Sequence, residues 1–228
     1  MNPLEHHIVK TAERQRRALL LDLDGVLWDT LPVMEVGWAA VQQEHSVSLP
    51  FAAYQEHLGR PFHDIMRLLG LPNADILLAA YEQSCALAAD RARPFAGMFD
   101  VLHALVRRGW TLGVVTSKPL HRAEPLLART GTPFATVRTP GRERGKPAPD
   151  PLLTALLDLR LDPAQAVYVG DMAVDQECAR RAGVAYVHAG WGYGRPDEPA
   201  PPIAQVPADL LELLQGEAEI APQLVEAR

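Results

Sequence analysis

The sequence predicts an α/β fold: a doubly wound parallel sheet with a small all-helical domain inserted after its first strand. Three observations carry this reading. Short apolar runs recur along the chain, each ending in polar residues or glycine. Helical apolar spacing separates the later runs, and from residue 31 to residue 94 the text is helical throughout. A strand buried on both faces reads as an unbroken apolar run, and parallel neighbours need crossover helices between them, so this alternation implies helices on both sides of a parallel sheet.

The first run is Ala18-Leu19-Leu20-Leu21, breaking at Asp22-Leu23-Asp24-Gly25. Later runs are expected at 110–115, ending in Thr116-Ser117-Lys118, at 134–137, at 166–169, ending in Gly170-Asp171, and at 184–188. Between them Phe99, Leu102, Leu105 and Val106 space as one helix face. So do Leu126 with Leu127, the set Leu152, Leu153, Leu156 and Leu157, and the set Leu210, Leu211, Leu213 and Leu214. Inside the insert, helices are expected over 33–44, 51–58, 62–69 and 74–92, with breaks at Pro50, Gly59-Arg60-Pro61 and Gly70-Leu71-Pro72. The division predicted is an N-terminal extension at 1–16, a discontinuous core at 17–30 and 95–228, and a helical cap at 31–94. Prolines 196, 199, 201, 202 and 207 mark a loop near the C-terminus.

Composition bounds the function. With 228 residues, 48% of them hydrophobic, the chain can bury a core without a disulfide scaffold, for which two cysteines would be too few. A formal net charge of −6 without a long basic block argues against nucleic acid as partner. No stretch approaches the roughly 18 apolar residues of a membrane span, and the N-terminus lacks the order of a signal peptide. A cytoplasmic protein with no membrane partner is expected; oligomeric state is open.

In an open parallel sheet, ligands bind beyond the carboxyl ends of the strands, which gives weight to polar residues that end apolar runs. Four such clusters occur: Asp22 with Asp24, Thr116 with Ser117 and Lys118, Lys146 in Gly145-Lys146-Pro147-Ala148-Pro149, and Asp171 with Asp175. Singly, each has a structural reading. Asp22 and Asp24 suit a turn before Gly25, an Asp near a helix start suits an N-cap, and Lys146 suits a solvated surface. Together they are more informative. Carboxylates converging at one sheet edge repel unless a cation sits among them, and hard oxygen donors suit Mg2+. A Thr hydroxyl and a Lys offer what a phosphoryl group requires.

In this order the clusters resemble the haloacid dehalogenase-like (HAD) superfamily, whose core is Rossmann-like. Motif I is Asp22-Leu23-Asp24-Gly25-Val26-Leu27-Trp28-Asp29-Thr30, motif II Thr116, motif III Lys146, and motif IV Gly170-Asp171 with Asp175. Within that superfamily the chain looks most like the phosphoglycolate phosphatase and beta-phosphoglucomutase group, on Asp29-Thr30, Gly59-Arg60-Pro61, the Lys-Pro-x-Pro loop and Trp191-Gly192-Tyr193-Gly194. The resemblance spans about residue 18 to residue 214 and identifies the insert as a C1 cap.

The resemblance implies a Mg2+-dependent phosphatase acting on a small phosphorylated metabolite. Asp22 is the implied nucleophile, forming an aspartyl-phosphate, and Asp24 the acid and base. Thr116, Ser117 and Lys146 are implied phosphate ligands. Asp22, Asp171 and the Asp24 backbone carbonyl are implied metal ligands, with Asp175 a ligand through water or an orienting partner. Arg60 and His63, with Arg67, are candidate substrate contacts from the cap, and Lys118 is one from the core. The alternatives are a phosphomutase using the same two aspartates and, in another class, a non-catalytic binder of phosphorylated metabolites.

Overall fold

A computed structural model describes residues 17–215; the expected extension at 1–16 lies outside the described residues. Strand β1 (Ala18–Leu21) is buried along its whole length because it has a parallel partner on each side. Its partners are β4 (Thr111–Val115) and β6 (Ala166–Gly170). Outside these lie β5 (Thr136–Arg138) beyond β4, and β7 (Ala185–Ala189) and then β8 (Ile203–Ala204) beyond β6. The six-stranded order is β5-β4-β1-β6-β7-β8, parallel throughout.

Side chains alternate across a strand, so the sheet divides the core into two layers. Leu19, Leu21, Leu112, Val114, Val169 and Val187 face one way, against helices α5 (Met98–Arg107), α6 (Leu120–Ala128) and α9 (Leu210–Leu213). Ala18, Leu20, Tyr168 and Tyr186 face the other, against α7 (Asp150–Leu159) and α8 (Ala173–Ala182). A leucine buried as Leu20 is contributes enough that truncation to Ala costs about 2–5 kcal/mol.

Between β1 and α5 the chain leaves the core and returns through a short antiparallel ribbon, in which β2 (Trp28–Asp29) pairs with β3 (Arg93–Pro94). The segment between them is helical: α1 (Leu31–His45), α2 (Phe51–Gln55), α3 (Phe62–Leu68) and α4 (Ala74–Leu87). Helices α1 and α4 pack directly on each other, closely enough at Gly37 that an added Cβ would sit 2.5 Å from Cys85 Sγ. Trp38 stacks on Tyr54 with ring centres 4.8 Å apart and anchors its indole N–H on the Leu49 carbonyl at 3.0 Å.

Several expectations shift. The run at 134–137 forms its strand two residues later, and the proline-rich loop contains the edge strand β8, which borrows only two ladder residues from β7. The helix expected over 74–92 ends at Leu87, followed by a single 3-10 turn, Ala89–Arg91. Val106, Leu153 and Leu157 face solvent beside Leu105, Leu152 and Leu156, which are buried. Adjacent helical residues point about 100° apart, so only one of each pair can reach the sheet.

The register positions the polar residues. Leu21 lies beside Val114 on one side and Val169 on the other. The chain therefore leaves the sheet side by side at Asp22, at Thr116 and at Gly170-Asp171. From β1 the chain crosses to one side of the sheet and later returns to the other, so this edge is also a topological switch point.

Candidate active site

Asp22 leaves β1 with its backbone N–H on the Val169 carbonyl at 2.9 Å, and its own Oδ1 accepts the Leu23 N–H at 2.7 Å. Its Oδ2 accepts from Lys146 Nζ at 2.9 Å. Lys146 arrives from the loop before α7, buried despite its charge, and also donates to Asp175 Oδ1 at 2.7 Å. Tyr168, in the middle of β6, sits under this group. Its hydroxyl lies 3.2 Å from Lys146 Nζ, 3.1 Å from Asp175 Oδ1 and 3.1 Å from the Val115 carbonyl.

Asp175 occupies the first turn of α8 and is fully committed: its Oδ2 accepts the Met172 N–H at 3.1 Å. Asp171 is not. Its Oδ2 accepts the Tyr193 N–H at 2.8 Å, while Oδ1 is buried with no hydrogen-bond partner. Two glycines hold it in place. Gly25 has φ +78° and an added Cβ would fall 2.1 Å from Asp171 Oδ2; at Gly192 it would fall 2.2 Å from the Asp171 Cβ. Neither position tolerates a side chain without displacing the carboxylate.

Asp22, Asp171 and Asp175 each offer an oxygen, all within 4.8 Å of one another. Lys146 brings one positive charge to these three carboxylates. Burial raises Asp22 to about 7, and the carboxylates of Asp175 and Asp24 add to the effect against the opposing pull of Lys146. Burial likewise drives Asp171 far above the usual carboxylate range. Burial alone would lower Lys146, but Asp175 and Asp22 outweigh it and keep the ammonium charged. The cluster is short of positive charge, and its orphaned Asp171 oxygen, with an all-oxygen donor set lacking His and Cys, fits a hard divalent cation.

Asp24, two residues after Asp22, faces elsewhere. Its Oδ1 accepts from the Thr30 hydroxyl and lies 3.1 Å from Lys118 Nζ. Lys118 is buried, and burial lowers its pKa while Asp24 pulls it back up. This group opens into a chamber of about 230 Å³ between the sheet edge and the helical insert. Asp22, Thr116 and Asp171 line its floor, and Tyr54, Phe62 and Tyr81 are among its walls.

The helical segment is held shut on the chamber at two places. Ser117 Oγ donates to the Gly59 carbonyl at 2.7 Å, and Gly59, at φ +85°, packs where a Cβ would meet Val174 at 2.6 Å. At the ribbon, the Tyr193 hydroxyl accepts the Thr30 N–H at 2.7 Å and the Leu31 N–H at 3.1 Å. It thereby satisfies N–H groups at the start of α1, sharing the Leu31 N–H with Asp29 Oδ1 at 3.2 Å. The Trp191-Gly192-Tyr193-Gly194 segment, one of the features that carry the family resemblance, ties Asp171 to the start of the insert.

Asp22, Asp24, Arg60, His63, Thr116, Ser117, Lys118 and Asp171 thus border one chamber, with Lys146 and Asp175 beside Asp22. Arg60 stands at its rim, shared with an outer cleft of about 680 Å³. His63 is turned to Asp75 at 2.7 Å, and Arg67 borders only the outer cleft, paired with Asp64 at 2.8 Å. Two site residues escaped the sequence reading. Tyr168 left one usable signal, a phenol within a buried apolar run, whose hydroxyl must find a partner. Arg122, on α6, left none.

Residues 19–189 match the family model described as haloacid dehalogenase-like hydrolase. The chain is 35% identical over 209 residues to the plasmid phosphoglycolate phosphatase of Cupriavidus necator, covering 86% of this chain and 90% of that one. It is 30% identical over 223 residues to the N-acetylmuramic acid 6-phosphate phosphatase of Pseudomonas aeruginosa, covering 87% and 94%. Among solved structures, a provisionally assigned phosphoglycolate phosphatase of Lactobacillus plantarum superposes with a TM-score of 0.74 at 27% identity, covering 87% of this chain and 99% of that one. CbbY of Rhodobacter sphaeroides shares the fold at a TM-score of 0.72 and 23% identity, covering 86% of this chain and 96% of that one.

Proposed function

The chain belongs to the haloacid dehalogenase-like hydrolase family, and from that membership and the site geometry we propose that it is a Mg2+-dependent phosphomonoesterase of small phosphorylated metabolites, working through an aspartyl-phosphate. One observation carries the reading: two carboxylates on the same short loop have opposite surroundings. Asp22 is enclosed with Lys146 among buried acids, while Asp24 faces the chamber with Thr30 and Lys118. Such a split separates a nucleophile from an acid and base.

In this reading Asp22 attacks phosphorus, and the bond from phosphorus to the ester oxygen breaks as Asp24 passes its proton to that oxygen. Asp24 then takes a proton from water, which attacks the aspartyl-phosphate and returns Asp22 with free phosphate. The Thr116 hydroxyl and the Lys146 ammonium bind the phosphoryl oxygens. With its hydroxyl on Gly59, Ser117 serves to hold the insert closed over the phosphate. Asp22, Asp171 and the Asp24 carbonyl would hold the metal, with Asp175 behind them; the ion supplies positive charge that lets an anionic nucleophile meet an anionic ester. The insert, acting as a cap, keeps bulk water from the intermediate.

The two curated relatives are named for phosphorylated carboxylic acids. The decisive assay is phosphate release from an aryl phosphate with Mg2+ or with chelator. Wild type with Mg2+ releases stoichiometric phosphate, whereas Asp22→Asn releases none above background. Turnover retained by that variant, or by wild type in chelator, would overturn the chemistry.

A further inference from the structure

Arg122 is a chamber cation to which the reaction above gives no task. It rises from the first turn of α6, four residues after Lys118, and its guanidinium lies over the Tyr81 ring of α4 with 5.3 Å between its carbon and the ring centre. Among the described residues no carboxylate pairs with it. Glu82, the residue after Tyr81, lies 3.4 Å from His121 with its buried Oε1 making no hydrogen bond, and Asp24 is already shared by Thr30 and Lys118. The guanidinium stays charged despite its burial.

The charge at this end does not cancel. Asp24 contributes at most one negative charge, and Lys118 and Arg122 contribute two positive ones. In the phosphatase reading the phosphate itself is answered by Lys146 and Thr116, at Asp22. A half-buried guanidinium facing a small chamber, stacked and without a partner, is a site for an anion, and a planar fork suits a carboxylate. The chamber's volume of about 230 Å³ favours a small acid over a second bulky, dianionic phosphate.

We propose that Arg122, with Lys118 beside it, recognises a carboxylate on the substrate near the ester oxygen, so that the enzyme selects small phosphorylated hydroxy acids over neutral phosphate esters. This rests on the phosphatase reading of the same site.

The test compares kcat/KM for 2-phosphoglycolate with that for its neutral amide, which has nearly the same shape, in wild type, Arg122→Met and Arg122→Lys with Mg2+. Wild type is expected to favour the acid. Arg122→Met should cut the acid-to-amide ratio about 10- to 100-fold, the range of a charge-assisted hydrogen bond, and Arg122→Lys should restore part of it. If Arg122→Met fails to fold, Arg122→Gln carries the same comparison. Equal rates on acid and amide in wild type, or an unchanged ratio in the variants, would overturn the assignment while phosphate release from both esters left the phosphatase reading standing. Preference for a bisphosphate over the acid would overturn it too, in favour of a second phosphate. No phosphate from either ester or from an aryl phosphate would instead remove the phosphatase reading, and this proposal with it.

Discussion

Helix α8 carries two ion-pair clusters two residues apart, and they behave in opposite ways. Asp175, in its first turn, is wholly buried and bonded to a buried Lys146. Glu177 accepts from Arg180 and Arg181 on a face open to water. In the buried cluster a carboxylate such as Asp22 is raised to about 7 in spite of its lysine, because burial dominates. In the exposed one Glu177 is lowered to about 2, because the Arg180 hydrogen bond outweighs slight desolvation. The same pairing chemistry thus yields strain in one place and modest stabilisation in the other. The strained cluster is the one beside the chamber, where perturbed carboxylates mark a candidate functional site.

The largest effect expected from breaking this contrast is at Lys146. Lys146→Met leaves Asp22 and Asp175 buried without their cation, a change that typically destabilises by about 3–5 kcal/mol. Urea titration measures it, and phosphate release should vanish in the folded fraction. A loss below about 1 kcal/mol would mean the buried cluster is no more costly than a surface pair.

Asp171 makes the opposite change. Its Oδ1 is buried and unpaired, so Asp171→Asn removes a carboxylate whose ionised form burial and its acidic neighbours disfavour. In chelator the variant should be more stable than wild type, by about 1–3 kcal/mol on the scale of an unsatisfied buried group. Added Mg2+ should raise the melting temperature of wild type but not of the variant, since only a site that binds the ion gains from mass action. Destabilisation by Asp171→Asn in chelator would show that the cluster carries no charge imbalance.

Much of this candidate site is legible in the sequence, for a physical reason. Central strands of a parallel sheet are apolar from end to end, so the residue that breaks each run also marks the edge where a ligand binds. Asp22, Thr116 and Asp171 could therefore be grouped although they are far apart in the chain. The edge strand β8 was not legible: two residues among prolines carry no periodicity, and their pairing comes from β7 alone. Arg122 was hidden because helix spacing on α6 says nothing about a tyrosine on α4 of the insert. The Ser117 to Gly59 bond was hidden for the same reason, being a docking of one chain segment on another with 58 residues between them. What local sequence cannot carry is the set of contacts made only when the insert meets the core.

The smallest effect, at Glu177, sharpens the comparison most. Its carboxylate accepts bonds at 2.6 Å and 2.8 Å from Arg180 and at 2.6 Å from Arg181, a tighter geometry than the Lys146 contacts. Geometry alone would rank this cluster as the stronger. Exposure reverses the ranking: the side chains of Arg180 and Arg181 are 65% and 45% exposed, so water screens the attraction and both long chains lose freedom in making it. Glu177→Gln is therefore expected to cost only about 0.2–1 kcal/mol at pH 7. The sign with pH follows from the lowered pKa. Glu177 contributes its full amount above the ordinary value of 4.5, loses it progressively as pH falls, and contributes nothing below about 2. The gap between variant and wild type, followed by urea titration from pH 7 downward, should narrow toward acid and should also narrow in high salt, which the Asp171→Asn difference, being buried, should resist. A gap above about 2 kcal/mol, or one that widens as the pH falls, would mean that α8 holds two clusters of one kind, and exposure would no longer explain why only one of them is strained.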